Sequence, residues 1–83
     1  MKTVTIYSTP LCQYCKMAKA YFKENDIKYT EHDVAGDEVK AKEMVEKTGQ
    51  MAVPVITIED EGKEEVIIGF DRPKIADLLG LAS

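Results

Sequence analysis

The sequence has no tryptophan, one histidine and two cysteines among its 83 residues. Each scarcity removes a class of protein. Two cysteines are too few for a secreted scaffold held by several disulfides. Zinc sites usually take four ligands, and His32 is the one nitrogen ligand available to join the cysteines. Basic residues are outnumbered, 11 against 15 acidic, and no basic stripe is present, which argues against a nucleic-acid partner. No apolar run approaches the roughly 20 residues that span a membrane. The opening, Met1-Lys2-Thr3-Val4-Thr5-Ile6-Tyr7, alternates and has no apolar h-region. The expectation is therefore no signal peptide and a reducing, cytoplasmic setting. A chain of this length forms one domain over residues 1–83, burying only about 60–65% of its unfolded surface.

What is present reads as alternating strands and helices. Thr3 to Tyr7 is rich in β-branched and aromatic residues and reads as a strand. Ser8-Thr9-Pro10 breaks it. From Tyr14, apolar residues recur at Met17, Ala18, Tyr21 and Phe22, the spacing of a helix with one buried face, and Asn25-Asp26 ends it. Ile27 to Val34 reads as a less apolar strand, suited to a sheet edge. Ala35-Gly36-Asp37 turns the chain and caps a second helix with Ala41, Met44, Val45 and Thr48 inward and Gly49 at its end. Val53 to Ile58 and Glu65 to Ile68 read as a hairpin about Asp60-Glu61-Gly62-Lys63. Asp71 caps a last helix with Pro73 in its first turn, Ile75, Leu78 and Leu79 inward, and Gly80 at its end. The order is β-α-β-α-β-β-α. It predicts an α/β fold with a parallel βαβ unit, a hairpin that completes a four-stranded mixed sheet, and helices on both faces.

Both cysteines fall in Ser8-Thr9-Pro10-Leu11-Cys12-Gln13-Tyr14-Cys15-Lys16, where the first strand gives way to the first helix. In a first helical turn, Cys12 and Cys15 share a face at about 5–6 Å between Cβ atoms, within modest adjustment of disulfide geometry. Cys12 then stands at the N-cap, where free backbone N–H groups and the helix dipole favour its thiolate, the reacting form. A CxxC opening the first helix of a βαβ unit is a thioredoxin-like redox signature. The alternatives, a buried structural pair or half of a metal site, rank below it.

The sequence resembles the glutaredoxins over essentially its whole length. The resemblance rests on Cys12-Gln13-Tyr14-Cys15 after the first strand, Val53-Pro54 before the third, Gly69-Phe70-Asp71 between the last strand and the last helix, and the minimal length. It implies a thioredoxin fold in its minimal form and a thiol–disulfide oxidoreductase. Cys12 is then the exposed nucleophile and Cys15 the resolving thiol. Pro54 follows a cis peptide bond, and the Val53 backbone pairs with a bound peptide or glutathione. Gly69 and Asp71 sit beside that ligand. The sequence departs from the family pattern at Gln13, where proline is common, and at Thr9, where a lysine often helps bind a glutathione carboxylate. It also has Ala52 before Val53-Pro54 and Phe70 after Gly69. Gly-Phe at the last position is similar to the redoxins that serve ribonucleotide reductase and are reduced by thioredoxin reductase. The Gly49-Gln50-Met51-Ala52-Val53-Pro54-Val55 run is similar to small bacterial and archaeal glutaredoxin-like proteins.

The expected activity is reduction of protein disulfides or glutathione mixed disulfides, with no tightly bound cofactor or metal and glutathione as a candidate co-substrate. A thioredoxin-reductase-fed redoxin, or a carrier that pools two CxxC pairs around zinc or an iron–sulfur cluster in a dimer, are the alternatives. The expected partners are disulfide-bearing proteins and either glutathione or a flavoprotein reductase, with the chain a monomer. Lys16, one turn after Cys12, is expected to favour its thiolate. Lys19 is expected on a solvated helix face, His32 on a strand surface, and Tyr14 in the ligand groove. Phe70 has two readings, a partner contact or a core anchor. Leu11, Met51 and Ala52 are expected to form an apolar patch around the site. The acidic run Glu59-Asp60-Glu61 with Glu64-Glu65 reads as a solvated turn.

Overall fold

The structure, a computed structural model, describes residues 2–50 and 53–81. The elements follow the expected order: β1 (Lys2–Ser8), α1 (Gln13–Glu24), β2 (Tyr29–Asp33), α2 (Glu38–Thr48), β3 (Val55–Asp60), β4 (Lys63–Ile68) and α3 (Arg72–Leu79). The four strands form one mixed sheet in the order β2-β1-β3-β4. β1 and β2 run parallel, from Val4 opposite Tyr29 to Ser8 opposite Asp33. β3 is antiparallel to both its neighbours, with Tyr7 opposite Val55 and Val55 opposite Ile68. The thioredoxin fold is present in its minimal form, with three helices.

The alternation along the strands assigns the two faces. Val4, Ile6, Ile56, Ile58 and Ile67 meet Ala18, Tyr21 and Phe22 of α1 and Ile75 of α3. On the other face, Tyr7, Val34 and Val55 pack on Met44 of α2. Two polar ties fasten α2 as well. The Tyr7 hydroxyl donates to Glu43 Oε1 at 2.8 Å, and Lys47 Nζ donates to Glu64 of β4 at 2.8 Å. Burial and then the Glu43 bond push the Tyr7 phenol up to about 12.

The helix ends are set by local chemistry. Asp37 Oδ1 accepts from the Val39 and Lys40 amides, both at 3.1 Å, and supplies two of the partners that a first turn lacks. Asp71 Oδ1 accepts from the Lys74 amide at 3.3 Å at the start of α3. At the end of α1, the Asn25 side-chain amide donates to Tyr21 O at 2.9 Å.

Several boundaries and faces differ from the sequence expectation. β2 begins at Tyr29, not Ile27, because the Ile27 amide is bonded back to Phe22 O at 2.8 Å in the α1 terminus. β3 runs from Val55 to Asp60 and β4 begins at Lys63, so the hairpin ladder extends to the Asp60–Lys63 pair. In α1 the buried residues are Cys15, Ala18, Tyr21 and Phe22, whereas Tyr14 and Met17 are 62% and 51% exposed. Cys15 counts among the apolar residues in setting the helix face, which rotates the stripe away from Tyr14. In α2 only Met44 is fully buried, and Ala41, Val45 and Thr48 are half-buried. Among the described residues no helix is long and apolar enough to cross a membrane.

Candidate active site

The site is built where β1 ends and α1 begins. Cys12 is the N-cap of α1, with extended backbone angles (φ −81°, ψ 114°). Its own amide donates to Thr9 O at 3.3 Å, closing the short turn that carries Pro10 and Leu11. Its sulfur accepts from the Cys15 amide at 3.1 Å. An N-cap side chain normally supplies an oxygen for this role. Here a sulfur receives the free first-turn N–H, an interaction that is stronger the more negative the sulfur. Cys12 is half-buried, and both cysteines are free thiols.

Cys15 lies one turn further on and faces the sheet. It has no exposed surface. Burial, and then its hydrogen bond with Cys12, push its thiol up to about 12, while the Thr9 backbone and the Lys19 ammonium act in the opposite direction. The pair is therefore a half-buried cysteine at a helix terminus with a fully buried one behind it.

The sheet register brings the other motifs to the same end of the molecule. Because Tyr7 is opposite Val55, Val53 and Pro54 continue past β3 alongside the turn that leads to Cys12. The Val53–Pro54 peptide bond is cis, as the resemblance implied. Val55 is opposite Ile68, so the chain after β4 passes beside Pro54, and the Gly69 amide donates to Pro54 O at 2.7 Å. Gly69 has φ +86°; a Cβ there would meet no atom within 4 Å, so the demand for glycine is conformational, not steric. Asp71 then opens α3. Of its two readings, Phe70 takes that of a core anchor: it is half-buried against the core and lies edge-on to Tyr21 at 5.9 Å between ring centroids. Arg72 covers the same Tyr21 ring at 5.2 Å.

Three large apolar side chains are exposed near Cys12 in the chain: Leu11, 91% exposed, and Tyr14 and Met17 of α1. Met51 and Ala52, expected in the same patch, lie outside the described residues. Lys16 is exposed on the turn that follows Cys12, and its amide donates to Cys12 O at 3.3 Å. His32 is half-buried and packs on Tyr7 at 5.3 Å between ring centroids, a partner that the strand-surface reading did not include. Among the described residues, no group of three or more His, Cys, Asp and Glu side chains is arranged to hold a metal ion.

Lys19 departs from the expectation of a solvated helix face. Its Nζ donates to Glu31 Oε2 at 2.7 Å, and the same oxygen accepts the Ser8 hydroxyl at 2.8 Å. The acidic hairpin is likewise more than a solvated turn, since Glu64 pairs with Lys47 of α2. Spacing alone gives Cys15 and Lys19 as an i, i+4 pair, but the partnership with Glu31 depends on the β1–β2 register, which no single-sequence pattern supplies.

A relative in Clostridium pasteurianum, described as an uncharacterized glutaredoxin-like 8.6 kDa protein in the rubredoxin operon, is 37% identical over 76 residues, covering 92% of this chain and 96% of that protein. Glutaredoxin 3 of Escherichia coli K12 is 34% identical over 59 residues, 71% of each chain. The solved structure of a mutant of the thioredoxin-like protein BC3987 superposes with a TM-score of 0.84 at 28% identity, covering 99% of this chain and all of that one. The family model described as Glutaredoxin matches residues 4–63. With its cysteine pair at the start of α1, the chain belongs to the glutaredoxin family of redox proteins.

Proposed function

We propose that the chain is a dithiol oxidoreductase that reduces protein disulfides or glutathione mixed disulfides in the cytoplasm. The observation that carries the reading is the asymmetric cysteine pair: Cys12 sulfur at the helix N-terminus, bonded by the Cys15 amide at 3.1 Å, with Cys15 fully buried one turn behind.

The cycle has two exchanges. Cys12 thiolate attacks one sulfur of a target disulfide, and the other target sulfur leaves as a thiolate. Cys15, as thiolate, then attacks the Cys12 sulfur. The mixed disulfide breaks, the second target sulfur leaves with the electron pair, and Cys12–Cys15 is the oxidised product. The first-turn amides hold Cys12 where it reacts, and Lys16 adds positive charge to the same turn. Leu11, Tyr14 and Met17 offer an apolar surface to the segment that carries the target disulfide. In this reading Val53, Gly69, Phe70 and Asp71, with the backbone of the buried Pro54, line the other side of the ligand site. Val53 lends its backbone to an extended peptide or to glutathione. Asp71 and the start of α3 bind the polar end of that ligand. Glutathione acts as co-substrate, and no tightly bound cofactor takes part.

The test is NADPH oxidation with a small glutathione mixed disulfide, coupled through glutathione and glutathione reductase. Turnover that disappears in Cys12→Ser supports the reading. No turnover from folded, reduced protein removes glutathione as the electron donor. A second reading, a redoxin fed by thioredoxin reductase, draws support from Phe70 after Gly69 and from the exposed Leu11, 91% of whose surface is open. Turnover with thioredoxin reductase and not with glutathione would select it.

A further inference from the structure

In the release step Cys15 must give up its proton, yet its surroundings resist this. Its side chain has no exposed surface, and its thiol is pushed up to about 12, first by burial and then by the bond with Cys12. Within the described residues, the influences that favour its thiolate are the Thr9 backbone and the Lys19 ammonium. Lys19 follows Cys15 by four residues in α1, so the two side chains rise from one helix face.

A lysine free in solvent would contribute little, because its charge would be screened and its chain would sample many rotamers. Lys19 is held. Its side chain is 26% exposed, and Nζ donates to Glu31 Oε2 at 2.7 Å. Glu31 stands opposite Ile6 in the parallel ladder, and it is fixed in turn by the Ser8 hydroxyl, which donates to the same oxygen at 2.8 Å. Ser8 is only 1% exposed, a buried polar residue whose hydroxyl is directed to this carboxylate. The Lys19 bond and then the Ser8 bond hold Glu31 below the usual carboxylate range, so the carboxylate stays ionised while the cysteines react. Ser8 is joined directly to Thr9, whose backbone also favours the Cys15 thiolate.

We propose that Lys19, Glu31 and Ser8 form an electrostatic bracket that sets the rate at which Cys15 resolves the mixed disulfide. Lys19 favours the thiolate that Cys15 becomes when it loses its proton, and Glu31 and Ser8 are positioning residues that hold the ammonium on the helix face it shares with Cys15. The bracket rests on the dithiol cycle proposed above and adds no reactant to it. The Cys15 proton passes to solvent, Cys15 sulfur is oxidised as it bonds to Cys12, and the target sulfur is reduced and takes a proton from water. The groups that act on Cys15 are Cys12 and Lys19 from α1 and the Thr9 backbone from the preceding turn, with Glu31 of β2 acting through Lys19.

The two steps separate in a stopped-flow reaction of reduced protein with excess 5,5′-dithiobis(2-nitrobenzoate). Attack by Cys12 releases one thionitrobenzoate, and resolution by Cys15 releases a second. Lys19→Gln is expected to slow the second release about three- to tenfold at pH 7 and to move its pH profile upward by about half to one unit, the low end for a charge partly open to solvent. The first release should stay within about twofold, and Lys19→Arg should restore the second. An unchanged second release, or equal slowing of both with an unmoved pH profile, overturns the bracket while leaving the cycle intact. A wild-type protein that shows the first release and never the second overturns the cycle and the bracket together.

Discussion

Cys12 and Cys15 are the same residue type three positions apart, and the fold treats them as different reagents. Cys12 precedes the helix, is half-buried, and takes an amide N–H on its sulfur. Cys15 belongs to the helix, has no exposed surface, and holds its proton up to about pH 12. The difference comes from one turn of helix laid against a sheet. The residue before the turn faces the unpaired amides, and the residue at its end faces the core. In the proposed cycle, depth and not identity divides the roles of nucleophile and resolving thiol.

That division is most directly broken at its outer member. Cys12→Ser should reduce turnover in the coupled NADPH assay to background. The fold should be retained, because serine is a strong N-cap and keeps an acceptor for the Cys15 amide; an unchanged or slightly raised thermal midpoint checks this. Cys15→Ser is expected to act differently. Attack by Cys12 persists, the mixed disulfide accumulates and is visible by intact mass, and reduction of protein disulfides falls steeply. This variant also places a hydroxyl in the core, so a denaturant melt should show a loss of about 1–3 kcal/mol.

Alkali sharpens the contrast. Below the Cys15 pKa, its thiolate fraction rises about tenfold per pH unit, so resolution should accelerate by about that factor per unit between pH 6 and 9. The stability of the reduced protein moves the other way. The folded state keeps the Cys15 proton above the ordinary thiol value of 9.0, where the unfolded chain has released it. The contribution is therefore complete below pH 9 and is lost as pH rises toward 12. Tyr7, pushed up from 10.0 to about 12, adds to the loss in the same direction. Melts of wild-type and Cys15→Ala protein between pH 8 and 11 separate the two contributions. The smallest expected effect compares two N-caps. Asp71→Ala should cost about 1 kcal/mol by denaturant melt, since Asp71 accepts from the Lys74 amide much as Cys12 sulfur accepts from that of Cys15.

The sequence is most legible where local chemistry decides. Asp37 and Asp71 cap their helices as their residue type suggests, Cys12 caps α1 where the strand-to-helix break places it, and the hydrophobic periods give the element order without a miss. The strand ends are less legible. Ile27 looks like strand, but the terminus of α1 claims its amide. Tyr14 and Met17 match the helical spacing of the core, yet a buried cysteine completes that face and turns them outward beside the site. The motifs at Val53-Pro54 and Gly69 are visible one by one in the sequence, whereas the bond from the Gly69 amide to Pro54 O that ties them together follows from two strand registers. The same holds for Lys19, which has a helix partner in sequence and a different partner, Glu31, in space.

Glu31 stands on β2, which is five residues long and, among the described residues, the outermost strand on its side of the sheet, paired along one edge only. Short edge strands are among the first parts of a domain to exchange their amide hydrogens with solvent, because opening them breaks one ladder and uncovers little apolar surface. Every such opening withdraws the carboxylate that holds Lys19. In the proposed bracket, a substitution that destabilises β2 enough to populate the open strand should therefore raise deuterium uptake along Tyr29–Asp33 and slow closure of the disulfide together.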